Sequence, residues 1–358
     1  MIFYGIAAIF PLVMWWLNDY VAKVDRLNEE QKKKNKYRLT ILAILPMFLL
    51  FVLRYKYVGV DTIGYVRFFE NDIRRYSFAE LLNQDLMRSE IGYRLYVKAI
   101  SLLTESYTVY FLINGFVIFG TLLHFAKKYA ENTFVFFFAF MTLGTYQFME
   151  TGLRQALAMA LCLWAVDFAQ NKKLIRFVLM VLLAAGFHKS ALLFLIIYPL
   201  SLLTKIKINW MVFIYVVLAA VLLVNFTVFQ SFFNQLLGYE YEIEETGNGG
   251  IFMLFVLVLC VFSLLIMHDK KKEMEGKELL IHLSLLSVIF WVLRLISRTA
   301  ERISIYYMFG LYAYFSQAVC YDKDKIARLL KIGLILACLV LFVYRNIGIS
   351  YQFFWQGA

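Results

Sequence analysis

TGLRQALAMALCLWAVDFAQNKKLIRFVLMVLLAAGFHKS, residues 151–190, holds two apolar runs joined by a short basic turn, Asn171-Lys172-Lys173. The pattern predicts a helical hairpin inside a membrane. At about 1.5 Å of rise per residue, Arg154 lies roughly 27 Å before Lys172 and His188 roughly 22 Å after Lys173, so both return to similar depth. An arginine and a histidine therefore meet there, far from the basic turn. Ionisable groups at that depth cost free energy unless they face a partner, a water-filled cavity or a ligand. Two readings follow: a functional site, or a pairing that only holds the helices together.

The rest of the chain agrees with a membrane setting. Its 358 residues would suggest two soluble domains by length, but 62% are hydrophobic and only 17% charged, with a mean hydropathy of +0.69. A polytopic, all-α integral membrane protein is the fold class expected, as one transmembrane domain over 1–358. The net charge of +11 would point to nucleic acid in a soluble chain; here it lies mostly in short loops and is read as topology, with no nucleic-acid partner. Residues 1–20 have no basic lead or cleavage site and read as a retained first helix. Cys162, Cys260, Cys320 and Cys338 stand singly in apolar runs, so packing is expected of them, without disulfide or zinc.

Apolar segments long enough to cross with modest tilt fall near 2–22, 39–55, 107–126, 133–149, 152–170, 209–228, 250–267, 279–297, 302–320 and 331–348. The run 174–204 is too long for one helix and is interrupted by Gly186-Phe187-His188-Lys189-Ser190, so it divides into two short spans or a broken pair. About twelve transmembrane helices result. Alternate loops then put 23–38, 127–132, 170–176, 203–208, 268–278 and 321–331 on one side, carrying 22 of the 36 Lys and Arg. That side is the cytoplasm by the positive-inside rule, with both termini outside.

The two basic residue types separate across the same division. The cytoplasmic loops hold 18 Lys and 4 Arg, the outer loops and helix ends 3 Lys and 11 Arg. Retention inside needs only charge, whereas arginine presents a planar fork matched to phosphate or carboxylate oxygens. Recognition of an anion on the outer side is one reading; simple pairing of buried arginines with outer acids is the other.

The longest outer loop, 54–106, begins RYKYVGVDTIGYVRFFE, where Gly59 allows a turn and Asp61, Tyr65 and Phe68 share one helical face. Ser77 to Glu80 has the form of a capping box. SEIGYRLYVKAISLLT follows, with an apolar stripe of Tyr93, Tyr96, Val97, Ile100 and Leu103; it reads as a helix flat on the outer interface or as an entry to the next span. The loop 229–249 carries Glu240, Glu242, Glu244 and Glu245 and no Lys or Arg, and reads as a lid or as a solvated loop. Near the C-terminus, RLISRTAERIS spaces Arg294, Arg298 and Arg302 four apart. On a continuous helix they form one cationic stripe, the strongest anion-binding signal in the sequence.

GVDTIGY at 59–65, SEIGY at 89–93, GLRQALAMAL at 152–161 and GFHKSALL at 186–193, in that order on a twelve-span chain, resemble the EpsG family of bacterial exopolysaccharide and capsule synthesis proteins, which belong with the Wzy-type polysaccharide polymerases. The resemblance implies a metal-independent, GT-C-like glycosyltransferase without cofactor in the bacterial plasma (inner) membrane. It would join undecaprenyl-pyrophosphate-linked oligosaccharide repeats at the outer or periplasmic face, beside the flippase and chain-length regulator of its pathway.

Such a reaction needs an anion site for pyrophosphate and a group that takes the acceptor hydroxyl proton. Arg154, Arg294, Arg298 and Arg302 fit the first need, and Lys189 either holds phosphate or snorkels. His188 is the preferred general base; Asp61 and Glu90 are rival bases, or orient the acceptor or His188. Tyr65 and Tyr93 are candidates for substrate contact. Attack opposite the leaving group would invert the anomeric centre. Asp322-Lys323-Asp324 is the one Asp-x-Asp triplet in the sequence and reads as part of a topology loop, so no metal site is expected, and no GxxxxGK[ST] loop supports ATP hydrolysis. Two alternatives stay open: an O-antigen-type ligase using the same donor, and a lipid-linked-sugar flippase or transporter, against which stand the absence of an internal repeat and the outward position of the ionisable residues.

Overall fold

In a computed structural model the described residues are 1–24, 27–83, 89–204, 206–237, 249–268, 276–321 and 324–357. Glu240, Glu242, Glu244 and Glu245 of the acidic loop, most of the lysine run at 268–278 and the first two residues of Asp322-Lys323-Asp324 lie outside them. The α-helices are α1 (Ile2–Val24), α2 (Glu29–Val52), α3 (Thr62–Arg67), α4 (Ile91–Ser101), α5 (Tyr107–Tyr129), α6 (Thr133–Thr142), α7 (Thr145–Thr151), α8 (Leu153–Gln170), α9 (Leu174–Ala185), α10 (Ile197–Ser201), α11 (Ile208–Val224), α12 (Phe226–Leu237), α13 (Gly250–His268), α14 (Lys277–Leu293), α15 (Arg298–Val319) and α16 (Lys325–Asn346). Among the described residues, α1, α2, α5, α13 and α16 are each long and apolar enough to cross a bilayer, and α11 with α12 forms a pair bent by 83°. The chain is an all-α polytopic membrane protein.

Local chemistry sets several helix starts. Asn28 and Gln31 exchange side-chain and backbone hydrogen bonds at the head of α2, both 2.9 Å. The Asn132 side chain accepts from the first amides of α6, and Asp324 caps α16 through the Ala327 amide at 2.7 Å. Each satisfies backbone donors that the first helical turn leaves without a partner.

Loop-to-loop contacts define two ends of the bundle. At one end Lys36 Nζ donates to the Glu131 carbonyl at 2.6 Å, Gln317 to the Tyr129 carbonyl at 2.8 Å, and Gly276 abuts Tyr129 and Gln170. These gather the lysine-rich segments. At the other end the amino group of Met1 meets the Ile349 carbonyl at 3.0 Å, and the C-terminal tail pairs with the end of α2, Phe354 N donating to Leu53 O at 2.9 Å. The two termini are therefore neighbours, opposite the lysines.

The run 174–204 does break. After α9 the chain turns at 186–188 and comes back as a 3-10 helix, Lys189–Ile196, leading into α10. Its return is secured where it started: the Tyr198 hydroxyl donates to the Lys172 carbonyl at 3.1 Å and Ser201 Oγ to the Ala169 carbonyl at 3.2 Å. His188 is thus left at the far tip, at the depth of the head of α8.

The arginine stripe is where expectation and structure part. α14 stops at Leu293, residues 294–297 turn, and α15 starts at Arg298 behind a Ser297 cap. Arg294 and Arg298 are consequently not on one continuous helix. Cys162, Cys260 and Cys338 are buried, while Cys320, placed with the packing residues by the sequence, is exposed at the end of α15.

Candidate active site

Two short elements from distant parts of the sequence create the centre. Glu90 stands at the N-cap position of α4 with extended backbone, and Gly92, two residues on, lies directly against Gly186 at the end of α9. A Cβ on Gly92 would sit 2.7 Å from the Gly186 carbonyl oxygen, and Tyr93 N donates to that oxygen at 3.0 Å. The absence of a side chain lets the backbones touch, which sets Glu90 beside the His188 tip. We expect Gly92→Ala to cost about 1–3 kcal/mol, as overpacking of a tight interior does. A lowered unfolding temperature of the purified protein, with loss of product, is the expected result; unchanged values of both would show that the close approach is dispensable.

Arg154, His188 and the amide of Lys189 all approach the Glu90 carboxylate. Arg154 Nη1 pairs with Oε2 at 2.7 Å, while Oε1 lies 3.3 Å from His188 Nδ1 and 3.3 Å from the amide of Lys189. With the Glu90 side chain 5% and His188 10% exposed, this is a largely buried ionic group whose acceptors are occupied, the condition under which buried charge is tolerated. Arg154 and His188 thus meet at common depth through an acid that the hairpin itself does not contain. Lys189 contributes its amide; its side chain is exposed and is not among the residues that line the hollows described next. Glu90 likewise stands behind the hollows, which fits an orienting group better than a base in contact with substrate.

A cavity of about 500 Å³ opens in front of this group, lined by Arg154, His188, Asp61, Tyr65, Gln155, Arg298, Thr299, Glu301 and Arg302 among others. Arg298 and Arg302 sit one turn apart at the start of α15, and Arg154 in the first turn of α8. Cations at helix N-termini oppose the helix dipole. Three such arginines gather positive charge on one cavity, with Asp61 and Glu301 on its wall. Arg294 is absent from the lining: its Nε binds Glu301 Oε2 at 3.0 Å, and Arg345 approaches the same carboxylate at 3.7 Å. The turn that interrupts the stripe sets Arg294 in this pairing, away from the cavity lining that holds Arg298 and Arg302.

A second hollow of about 700 Å³ shares Asp61, Tyr65 and Arg154 with the first and continues past Phe68, Asp72, Arg75, Tyr76 and Tyr93. Gly59, at φ +92°, makes the turn that starts this wall, a backbone conformation suited to glycine. Asp61, Tyr65 and Phe68 then follow at the spacing read from the sequence, and Asp72 extends the row. Tyr93 is held in place by a 2.8 Å hydrogen bond between its hydroxyl and that of Tyr110 and by the stacked Phe68 ring. The capping box forms too: the Ser77 amide donates to Glu80 Oε2 at 2.7 Å, which holds the exposed Glu80 carboxyl below its ordinary pKa. Within the 91–101 helix, Tyr93, Val97 and Ile100 are buried while Leu103 beyond its end is exposed.

A small third hollow of about 40 Å³ joins His188, Gln155 and Arg302 to Phe226, Phe229 and Gln230 of α12. Sequence reasoning missed Gln155, whose amide donates to the Arg302 carbonyl at 2.6 Å and ties α8 to α15. It also missed Asp72, Arg75 and the pair Ser190 and Tyr306, whose hydroxyls lie 3.0 Å apart. The only available signals were adjacency to Arg154 for Gln155 and a three-turn offset from Asp61 for Asp72. Among the described residues no group of three His, Cys, Asp or Glu has the arrangement of a metal site.

Comparison with known proteins gives one family. The model of the EpsG family matches residues 37–356, extending the likeness from the four motifs to nearly the whole chain. No curated protein and no solved structure matches. With a polytopic helical fold and a match over almost its entire length, this chain belongs to the EpsG family and is, in general terms, a Wzy-type polysaccharide polymerase.

Proposed function

We propose that this polymerase joins undecaprenyl-pyrophosphate-linked oligosaccharide repeats by glycosyl transfer at the outer face of the bacterial plasma membrane, without a metal ion. The observation that supports it most is the convergence of Arg154, Arg298 and Arg302 on one cavity beside a histidine whose Nδ1 faces a carboxylate. Pyrophosphate carries the charge that such arginines recognise in bidentate fashion. They also stabilise the negative charge that grows on the leaving oxygen as the anomeric bond breaks.

His188 supplies the complementary step. With the Nδ1 proton donated to Glu90, Nε2 carries the lone pair that accepts the acceptor hydroxyl proton. Tautomer assignment here follows from the hydrogen-bond partner. Glu90 orients the ring and balances the imidazolium that forms, the role a carboxylate plays behind a catalytic histidine. Asp61, on the wall shared by both hollows, is the rival base or a partner for an acceptor hydroxyl. Tyr65, Tyr93 and Phe68 offer faces on which sugar rings pack, so the larger hollow takes glycan and the arginine cavity takes pyrophosphate. Attack by an acceptor hydroxyl held at His188, on the face of the anomeric carbon opposite the leaving group, inverts that carbon, as expected of a GT-C-like enzyme.

Lysine concentration at the opposite end supports an outward-facing site through the positive-inside rule. The ligase reading uses the same groups and differs in acceptor. For transport, ionisable residues and broken helices near the midplane of internal repeats are the expected signature, whereas these arginines gather at one end. The deciding experiment incubates purified protein in nanodiscs with the native lipid-linked repeat alone and resolves the products on a gel. A ladder of lengthened glycans is expected. An unchanged repeat unit from folded protein would refute polymerisation and lead to a flipping assay. In the same assay, EDTA is expected to leave the ladder intact; loss restored by Mg²⁺ would overturn the metal-free mechanism.

A further inference from the structure

At the lysine-rich end, opposite the active site, a separate cavity of about 440 Å³ is lined by Tyr37 of α2 and by Gly120, Leu123, His124, Lys127 and Lys128 of α5. The α5 residues recur at helical spacing and occupy one face over two turns. Asp167 of α8 organises the polar side: it lies 2.7 Å from His124 Nε2, 3.1 Å from Lys128 Nζ, and accepts from the Tyr129 hydroxyl at 2.6 Å. His124 is stacked on Trp164 with ring centroids 4.0 Å apart. Lys127 lies over the Tyr37 ring at 4.1 Å. Among the described residues Asp167 thus meets Lys128 and His124, while Lys127 adds a further positive charge to the cavity lining and Lys33 and Lys34, both exposed, lie one turn before Tyr37 on α2.

We infer that this cavity binds the phosphate headgroup of an anionic glycerophospholipid from the leaflet at the lysine-rich end. The charge excess selects an anion, and the apolar surroundings select a lipid. Along α5 from Gly120 the next turn exposes Phe116 and Val117, and along α2 beyond Arg38 the exposed apolar residues include Ile41, Leu42, Leu45 and Leu49. Gly120 has nothing within 4 Å of where a Cβ would stand, which leaves room for an acyl chain beside it. Tyrosine at such a boundary presents an apolar ring to the chain and a hydroxyl to the headgroup. Basic pockets between transmembrane helices at this end of a membrane protein are the physical form that anionic-lipid sites take. The site is independent of the glycosyl-transfer reading.

The test uses the full-length protein, delipidated in detergent and titrated with phosphatidylglycerol or phosphatidylcholine while bound lipid is counted by native mass spectrometry. One retained phosphatidylglycerol, bound about tenfold or more tightly than phosphatidylcholine, is expected, since each lysine near a phosphate contributes roughly a fivefold gain. Lys127→Glu is expected to remove the preference and Lys127→Arg to keep it; Lys127 is exposed, so neither substitution disturbs packing. Equal retention of the two lipids, or a preference untouched by Lys127→Glu, overturns the proposal. So does displacement by inorganic phosphate at equal concentration, which would assign the site to free phosphate.

Discussion

Replacing His188 by alanine is expected to slow glycosyl transfer by about 10²–10⁴-fold, the contribution typical of one positioned acid–base group, and to abolish long-chain product. The ring is 10% exposed and lines the arginine cavity with its Nδ1 toward Glu90. Loss of the imidazole removes the proton acceptor and leaves the Glu90 and Arg154 pair standing at 2.7 Å, so the protein is expected to insert and fold. Glu90→Gln separates the two functions: it keeps the shape, loses the charge that favours the imidazolium, and is expected to lower kcat by less than His188→Ala. Normal chain lengths from a well-expressed His188→Ala protein would remove His188 from the site and leave Asp61 as the base.

A comparable loss, about 10²–10³-fold, is expected of Arg298→Ala, the scale for removing one preorganised donor at a developing charge. Arg298 begins α15 on the wall of the same cavity as Arg154 and Arg302. Arg298→Lys keeps a charge but loses the fork, so partial recovery is expected. Arg294→Ala is the informative contrast. Its guanidinium is 9% exposed and held by Glu301, outside the cavity, so the expected effect is a lower unfolding temperature, because a partner of a buried pair is removed. The reverse pattern, with kinetics damaged by Arg294→Ala and spared in Arg298→Ala, would return Arg294 to the anion site and displace Arg298. Chain length on gels and unfolding temperature, read together, decide it.

Much of this arrangement was already legible along the chain, for a local reason. Hydropathy and charge are properties of successive residues, so the spans, the lysine-rich side and the break at 186–190 could be read directly. The common depth of Arg154 and His188 needed only the rise of a helix and a turn between them. Asp61, Tyr65 and Phe68 kept their spacing because i, i+4 and i+7 stay on one side of a helix. The stripe of Arg294, Arg298 and Arg302 failed on a similar argument, since nothing in ISRT announces strongly that α14 ends at Leu293 and that Ser297 starts a new helix. Serine is a good cap, and that signal was available and outweighed by the arginine spacing.

By itself the sequence determined a many-span helical membrane protein, its two-ended charge distribution, and the set of ionisable residues at the arginine-rich end. Tertiary structure alone decided what those residues do to one another. Glu90 is 64 residues from Arg154 and 98 from His188, and their meeting depends on the bare contact of Gly92 with Gly186. Arg294 stays off the cavity lining because a turn sets it against Glu301, while Gln155 reaches the cavity wall through its hydrogen bond to the Arg302 carbonyl and Asp72 lines the larger hollow from the turn that follows α3. Periodicity reports which face a residue occupies; which other face lies opposite is fixed by long-range packing, and only that brings the acid, the histidine and the arginines around one space.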